Sequence, residues 1–177
     1  RTSLVGYTNA GKSSILRGIS GEREIFVEDR LFATLDPLTR EVDLGEHQTV
    51  LLTDTVGFIR KLPHHLVASF RATLEEVTEA DLLLHVIDAS HASWEEQRLV
   101  VDEVLADLGV QGVPTVYVFN KMDRLTPEMQ QALRDRIANL APGSVFTSAN
   151  DAAGLEPLRE LLRERLRAIR SELGEDD

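Results

Sequence analysis

A glycine-rich run near the start of the chain constrains its fold more than any other feature. The run Gly6–Ser14 reads GYTNAGKSS and fits G-x-x-x-x-G-K-[ST], which is typical of a phosphate-binding loop. Leu4-Val5 before it predicts the end of a strand, and Ser13–Leu16 predicts the start of a helix. Such a loop lets backbone N–H groups converge on an anion at the positive end of the helix dipole. The alternative is a plain glycine-rich turn.

Phosphate chemistry assigns roles within this run. Lys12 is predicted to reach the β- and γ-phosphates of a nucleotide and to act in catalysis, and the Ser13 hydroxyl is predicted to bind Mg²⁺. Asn9 has two open interpretations: it helps to hold K⁺ against the phosphates, or it bonds its own backbone. The predicted nucleotide-binding residues here are Gly6, Tyr7, Thr8, Asn9, Ala10, Gly11, Lys12, Ser13 and Ser14.

An acidic motif follows a later apolar stretch. Asp54, Thr55, Val56 and Gly57 come directly after a strand predicted over Thr49–Thr53, and all four are predicted to bind the nucleotide. An aspartate at the carboxyl end of a strand beside the phosphate loop is suited to hold Mg²⁺ from the second coordination shell. Gly57 has no side chain, so its N–H is predicted to approach the γ-phosphate and to act in catalysis. The alternative for Asp54 is an ordinary turn residue.

Two further motifs indicate which base is recognised. The Asp123 carboxylate can accept hydrogen bonds from N1–H and the 2-amino group of guanine, and adenine offers neither donor. The motif Asn120–Asp123 follows the strand predicted over Thr115–Phe119, and the motif Thr147–Asn150 follows the next short strand. Together they contribute the predicted base-binding residues Asn120, Lys121, Met122, Asp123, Ser148, Ala149 and Asn150.

The neighbours of Asp123 have supporting roles in this prediction. Lys121 is expected to lie along the plane of the base. Asn120 is expected to tie this loop to the phosphate loop, and the Ala149 N–H is expected to meet guanine O6.

The polar segment Ile19–Arg40 lacks periodicity and predicts a long loop, which an ordered domain seldom carries without a functional reason. Within it, Thr34 is predicted to bind Mg²⁺ through its hydroxyl and to sense the γ-phosphate through its backbone, in a catalytic role. Thr39 is the alternative for that role. The candidate nucleotide-binding residues of this segment are Phe32, Ala33, Thr34, Leu35 and Asp36.

Composition limits the other classes of function. The 177 residues suit one domain with its own core, and strands and helices alternate as in a mainly parallel α/β protein. The helices are predicted over Lys12–Gly18, Leu66–Glu79, Ala92–Leu108, Pro127–Leu140 and Leu155–Leu173. The net charge of −11 makes direct nucleic-acid binding by this chain unfavourable. The sequence has no cysteine, which excludes disulfides and thiolate chemistry. No apolar run reaches the length of a membrane span, and a cytoplasmic location is expected.

With these motifs in place, the chain resembles the GTPase domain of the HflX family, a translation-factor-related group of P-loop GTPases. The P-loop and NKMD are typical of the whole superfamily, whereas DTVGFIRKLPHHLV together with FATLDP is more specific. The matching segments are GYTNAGKSS, LFATLDPLTR, DTVGFIRKLPHHLVASF, LLLHVIDAS, NKMD and TSAN.

The resemblance implies a Ras-like α/β fold, which we expect to contain a six-stranded, mainly parallel sheet with helices on both faces. The antiparallel edge strand is predicted over Glu41–Leu44. The resemblance also implies Mg²⁺-dependent GTP hydrolysis by a factor that binds the large ribosomal subunit and splits or rescues ribosomes. We expect one domain over residues 1–173 and a frayed acidic end over 174–177. Because the chain begins at Arg1 and not at Met, we expect it to be a domain of a longer protein, and the resemblance implies that a missing N-terminal domain contacts the ribosome.

Other interpretations of function stay open. They are a nucleotide-dependent switch with negligible turnover alone, a P-loop kinase or ATPase, and another ribosome-associated GTPase family of the Era or Obg kind. Phe58 stands where Ras-like GTPases place a water-orienting glutamine, so slow turnover is expected. Arg30, Arg40 and Arg60 are each either an internal arginine finger or a solvated charge. His85 is expected to be a satisfied sheet histidine.

Overall fold

The computed structural model describes residues 1–21, 38–55, 75, 77–110 and 112–174. These residues include four helices, namely α1 (Lys12–Ser20), α2 (Trp94–Asp107), α3 (Pro127–Leu140) and α4 (Ala152–Leu173), and a short 3₁₀ helix at Met122–Arg124. The strands are β1 (Thr2–Gly6), β2 (Leu38–Gly45), β3 (Gln48–Asp54), β4 (Leu82–Asp88), β5 (Thr115–Asn120) and β6 (Val145–Phe146).

The strands form one six-stranded sheet in the order β2-β3-β1-β4-β5-β6. Among the described strands, only β2 and β3 pair antiparallel, which confirms the predicted edge strand, although β2 is longer than Glu41–Leu44. The hairpin turns at Glu46 and His47, whose φ angles of 55° and 59° suit a tight two-residue turn. The predicted mainly parallel sheet is thereby confirmed.

Alternation along the strands places helices on both faces of the sheet. Leu4 of β1 packs in a cluster with Ile15 of α1 and Leu158 of α4. Val5, the next residue, packs on the opposite face with Val101 of α2. A third cluster joins α3 to β4 and β5 through Leu133, Ile137, Ile87 and Phe119. All parallel strands therefore end at the same edge of a covered sheet.

Local signals set the ends of two helices. The Thr126 side chain accepts a hydrogen bond from the Met129 N–H at 3.2 Å, and Pro127 occupies the first turn of α3, which matches its predicted bounds. Asp151 caps α4 by accepting from the Gly154 N–H at 2.7 Å. This cap explains why α4 begins at Ala152 and not at the predicted Leu155.

The predicted end of α1 at Gly18 is wrong. The helix continues to Ser20, and Gly21, with φ of 72°, ends it. Gly18 has a packing role, because a Cβ atom there would lie 2.5 Å from Leu155 Cδ1 of α4. Both predicted bounds of the polar loop are also wrong, since Ile19 is helical and β2 already begins at Leu38.

Part of one predicted helix lies within the described residues. Of the helix predicted over Leu66–Glu79, only residues 75, 77 and 78 are described as helical, and residues 66–74 and 76 lie outside the described part. Among the helices that are described, none combines the length and apolar character needed to cross a membrane.

Candidate functional site

The phosphate loop joins β1 to α1 at the carboxyl edge of the sheet, as its sequence predicts. The Ala10 N–H donates to the Tyr7 carbonyl at 3.1 Å, which closes a turn within the loop. Gly6 approaches the neighbouring strand so closely that a Cβ atom would lie 2.5 Å from the Val86 carbonyl oxygen. Gly11, with φ of 105°, directly precedes α1. The loop therefore leads into the N-terminus of a helix, the end that attracts anions.

Lys12 adds a second positive feature at this point. The residue opens α1 and is 8% exposed. Burial removes water from the ammonium and lowers the pKa of Lys12, while the nearby charge of Asp54 opposes that shift. An anion bound beside a desolvated cation at the positive end of a helix dipole stabilises the charge of that cation. These electrostatics suit the phosphates of a nucleotide.

Ser13 and Asp54 supply oxygen atoms beside the phosphate loop. Asp54 ends β3, where it pairs in register with Leu4 of β1, and it is fully buried. The Ser13 hydroxyl donates to Asp54 Oδ2 at 2.7 Å. The Thr55 hydroxyl donates to the Leu4 carbonyl at 2.6 Å, which fixes the chain directly after Asp54. A hydroxyl and a carboxylate are the ligands that Mg²⁺ prefers, so the residues fit this ion.

Asn120 joins the base-recognition loop to the phosphate loop, which confirms the role predicted for it. Its Nδ2 donates to the Ala10 carbonyl at 3.2 Å, and its Oδ1 accepts from the Thr147 hydroxyl at 3.1 Å. The carbonyl and the next N–H of a trans peptide point in opposite directions, so this contact aims the Gly11 N–H away from Asn120. A Cβ atom at Gly11 would lie 2.3 Å from Asn120 Nδ2, which explains the glycine.

Lys121 makes a second connection between the same two loops. Its Nζ donates to the Asn9 carbonyl at 2.8 Å and lies 3.2 Å from Asp88 Oδ2. The expectation that Lys121 lies along a base plane stays a prediction. Asp88 and Thr147 belong to this arrangement without having a role predicted from the sequence. For Asp88, its position at the carboxyl end of an apolar strand was the available signal.

Asp123 is oriented by residues from the loop after β6. Its N–H donates to the Ser148 hydroxyl at 3.1 Å, and its Oδ2 accepts from Asn150 Nδ2 at 2.5 Å. Met122 donates through its N–H to the Thr147 carbonyl at 3.1 Å. The Met122 side chain is buried in the core, so it fixes the base-recognition loop to the core. The structure thus brings the two predicted base-binding motifs together.

Several predicted residues fall outside the described part of the chain. They are Phe32, Ala33, Thr34, Leu35, Asp36, Val56, Gly57, Phe58, Arg30 and Arg60, whose roles stay predictions. Thr39, the alternative to Thr34, lies in β2 with its Oγ1 2.9 Å from Thr53 Oγ1. Its hydroxyl therefore serves a cross-strand pair. Arg40 also lies in β2, where its guanidinium donates to the Thr39 carbonyl at 3.1 Å.

His85 lies in the sheet as predicted, but the expectation that its ring is satisfied is not confirmed, because its buried Nδ1 has no partner with hydrogen-bond geometry among the described residues. It is 1% exposed in β4, and its Nδ1 lies 3.2 Å from Asp102 Oδ1 of α2. Asp102 Oδ2 also accepts from the Tyr117 hydroxyl at 2.8 Å. Burial lowers the pKa of His85, although Asp102 opposes that shift. His85 takes no part in the connections between the loops.

Solved structures share this fold. A GTP-binding protein from Sulfolobus solfataricus in complex with GDP is 27% identical with a TM-score of 0.69, and the match covers 92% of this chain and 51% of that chain. Aquifex aeolicus Era bound to GDP·AlF₄⁻ has a TM-score of 0.74 at 22% identity, with 94% of this chain and 55% of that chain covered. The second likeness concerns the fold alone.

Sequence comparisons give closer relatives. GTPase HflX of Gluconacetobacter diazotrophicus is 48% identical over 92% of this chain, and GTPase HflX of Escherichia coli is 46% identical over 93%. The chain spans only 35% and 38% of the lengths of these two relatives. The family described as 50S ribosome-binding GTPase matches residues 1–121. These matches confirm the resemblance drawn from the motifs: the chain belongs to the 50S ribosome-binding GTPase family and is similar to the GTPase domain of HflX.

Proposed function

We propose that this chain binds GTP together with Mg²⁺ at the carboxyl edge of the sheet and hydrolyses it to GDP and phosphate. One observation carries the proposal: the Asn120 side chain links the phosphate loop at Ala10 to the loop that presents Asp123. A ligand that engages both loops has phosphates at one end and a base at the other. The carboxylate of Asp123 selects guanine, because adenine would leave it without donors in the site.

The described residues would act by binding and orientation. Lys12 and the N–H groups of the phosphate loop would hold the β- and γ-phosphates, and Ser13 and Asp54 would hold Mg²⁺. When bound, Mg²⁺ neutralises negative charge on the phosphate oxygens. Water attacks the γ-phosphorus while the bond between this phosphorus and the β–γ bridging oxygen breaks, which releases GDP and phosphate. Stabilisation of charge by preorganised donors is the main catalytic contribution.

Three residues beyond the described part complete the proposal on sequence grounds. Thr34 would bind Mg²⁺ through its hydroxyl, and the Gly57 N–H would contact the γ-phosphate. Phe58 has no group that can orient water, so we expect slow intrinsic turnover, on the order of 10⁻⁴ to 10⁻³ s⁻¹. Single-turnover hydrolysis of GTP tests this, and a total lack of phosphate release would favour a nucleotide-dependent switch.

A monovalent ion is a further part of the proposal. The Asn9 side chain is exposed on the phosphate loop and would help to hold K⁺ against the phosphates. Hydrolysis should then be faster in KCl than in NaCl at equal ionic strength, and Asn9→Ala should remove the difference. Equal rates of the unchanged chain in both salts would contradict a role for K⁺.

The ribosomal role rests on the relatives and concerns a longer protein. We propose that the chain is the GTPase domain of a cytoplasmic factor that binds the large ribosomal subunit and splits or rescues ribosomes. The net charge of −11 disfavours docking of this domain alone on ribosomal RNA. Large subunits should therefore stimulate a protein with the expected N-terminal domain and leave this chain little changed. Equal stimulation of both would contradict the proposed division of roles.

A further inference from the structure

A carboxylate outside the predicted motifs lies beside the base-recognition loop. Asp88 is the last residue of β4 and is 8% exposed. Its Oδ1 accepts hydrogen bonds from the Ser90 N–H at 2.9 Å and from the Ser90 hydroxyl at 2.6 Å. Its Oδ2 lies 3.2 Å from Lys121 Nζ. With one oxygen fixed by Ser90, the other oxygen is held towards the ammonium.

The charge of this carboxylate is favoured where it lies. Burial alone would raise the pKa of Asp88, but hydrogen bonds from Ser90 and the charge of Lys121 outweigh that effect. The pKa of Asp88 therefore lies below its usual value, and the side chain is ionised at neutral pH. Lys121 consequently sits between an anion on one side and the Asn9 carbonyl on the other.

The backbone on both sides of this contact is in a conformation that side chains disfavour. Asn9 has φ of 66° and Lys121 has φ of 64°, both in the left-handed region. Among residues other than glycine, asparagine adopts this region more readily than lysine, and fixed surroundings hold either residue there. For Asn9, the hydrogen bond from Lys121 to its carbonyl is such a constraint, and it crosses 112 positions of the chain.

We propose that Asp88 is a positioning residue of the nucleotide site. Its carboxylate holds the Lys121 ammonium on the Asn9 carbonyl, and this keeps the phosphate loop in its nucleotide-binding conformation. The inference rests on the proposed function, and it gives a role in that site to a residue that does not contact the ligand. Without the carboxylate, the ammonium turns to solvent and the loop is free to leave the left-handed conformation at Asn9.

The test is the dissociation rate of a fluorescent GDP analogue, measured by displacement with excess GDP. Asp88→Asn keeps the size of the side chain and an oxygen for Ser90, but it places an amide where the anion was. We expect dissociation to become about tenfold faster, the scale of one lost charge-assisted hydrogen bond, with little change in association. Asp102→Asn is the matched control, a carboxylate on α2 bonded to Tyr117, and it should leave both rates unchanged.

A double-mutant comparison separates positioning from a general structural effect. If Asp88 acts through Lys121, Asp88→Asn should have no further effect in a Lys121→Met background. If Asp88→Asn does not fold, Ser90→Ala gives the same test more mildly, because it removes only the hydroxyl bond to Oδ1 and should speed dissociation about twofold.

Each outcome has a defined meaning. The role of Asp88 would be overturned if the GDP analogue left Asp88→Asn at the unchanged rate, or if the two substitutions had fully additive effects in the Lys121→Met background. If only Ser90→Ala folds, an unchanged dissociation rate from that variant would overturn the role in the same way. In those cases the unchanged chain still binds GDP, so the proposed function stands. Failure of the unchanged chain to bind the GDP analogue would overturn the proposed function and this inference together.

Discussion

Two polar clusters built on the same pair of strands have different consequences. The loop cluster starts from Asp88 and Asn120, which pair in register where β4 and β5 end, and it includes Lys121 and Thr147. The sheet cluster starts three positions earlier from the paired residues His85 and Tyr117, and it includes Asp102 and Arg98 of α2.

The two clusters differ in where their hydrogen bonds lead. The loop cluster donates to the backbone carbonyls of Asn9 and Ala10, far away in sequence. In the sheet cluster, the Tyr117 hydroxyl and the His85 ring both meet the Asp102 carboxylate, and the Arg98 guanidinium lies over the Tyr117 ring. A cluster that bonds to the main chain of another loop controls the shape of that loop. A cluster of side chains bonded to one another fixes a helix on a sheet.

The largest effect is expected at Asp123, which follows Lys121 of the loop cluster in the chain and which we propose to read the base. Asp123→Asn should weaken GDP binding on the order of 10³-fold, because the proposed carboxylate acceptor for guanine is replaced by an amide that also donates. The same change should improve binding of xanthosine diphosphate, whose extra carbonyl accepts from that amide. Titration of both nucleotides into both proteins measures this reversal. Parallel losses for the two nucleotides would show that Asp123 does not read the base.

A smaller but still large effect is expected from cutting the loop cluster. Asn120→Ala removes the contacts with Ala10 and Thr147 at once. We expect GDP affinity to fall about 100-fold, together with a loss of about 1–3 kcal/mol in the free energy of unfolding, because buried partners lose their hydrogen bonds. Calorimetry and denaturant unfolding report the two quantities. If the protein is destabilised but its GDP affinity is unchanged, Asn120 has only a structural role, like the residues of the sheet cluster.

The sheet cluster should show stability changes without binding changes. Tyr117→Phe removes the hydroxyl that donates to Asp102 Oδ2 at 2.8 Å and keeps the ring. We expect a loss of about 1 kcal/mol in the free energy of unfolding and GDP affinity within about twofold of the original. Denaturant unfolding and GDP titration are again the measurements. A tenfold change in GDP affinity would contradict the division between the clusters.

The smallest effect concerns pH. Burial lowers the pKa of His85 from its usual 6.5, with Asp102 opposing and Arg98 reinforcing the shift. The folded state therefore resists protonation of His85. The stability that comes from the neutral, buried ring is complete above pH 6.5 and is lost as pH falls towards the folded-state pKa of His85. The loss is at most about 1.4 kcal/mol for each pH unit between the two pKa values. Unfolding curves of the original chain and His85→Gln between pH 7.5 and 5 should converge as pH falls, and a constant gap would contradict this sign.

The parts of the molecule that the sequence predicts are those with local causes. The phosphate loop is one contiguous run whose glycines set its shape, and α3 has its predicted bounds because Thr126 and Pro127 start it. The role of Asn120 was also predictable, because parallel strands deliver their loops to one edge.

The misses come from contacts between distant segments. In the sequence, Gly18 is typical of a helix end, whereas in the structure a glycine is needed there because Leu155 packs against it. The contacts behind the role proposed for Asp88 run through Lys121 to the distant Asn9, and the strand register is what pairs the Thr39 hydroxyl with Thr53. A local pattern marks such positions but does not show which distant residues they will contact.

The most direct test of a guanine-nucleotide site at the carboxyl edge of the sheet is a calorimetric comparison of GDP and ADP, each titrated into the unchanged chain with Mg²⁺. We expect a single GDP site and binding of ADP that is weaker by about 10³-fold or more, since Asp123 finds donors only on guanine. Equal affinity for the two nucleotides, or no binding of GDP at all, would contradict it.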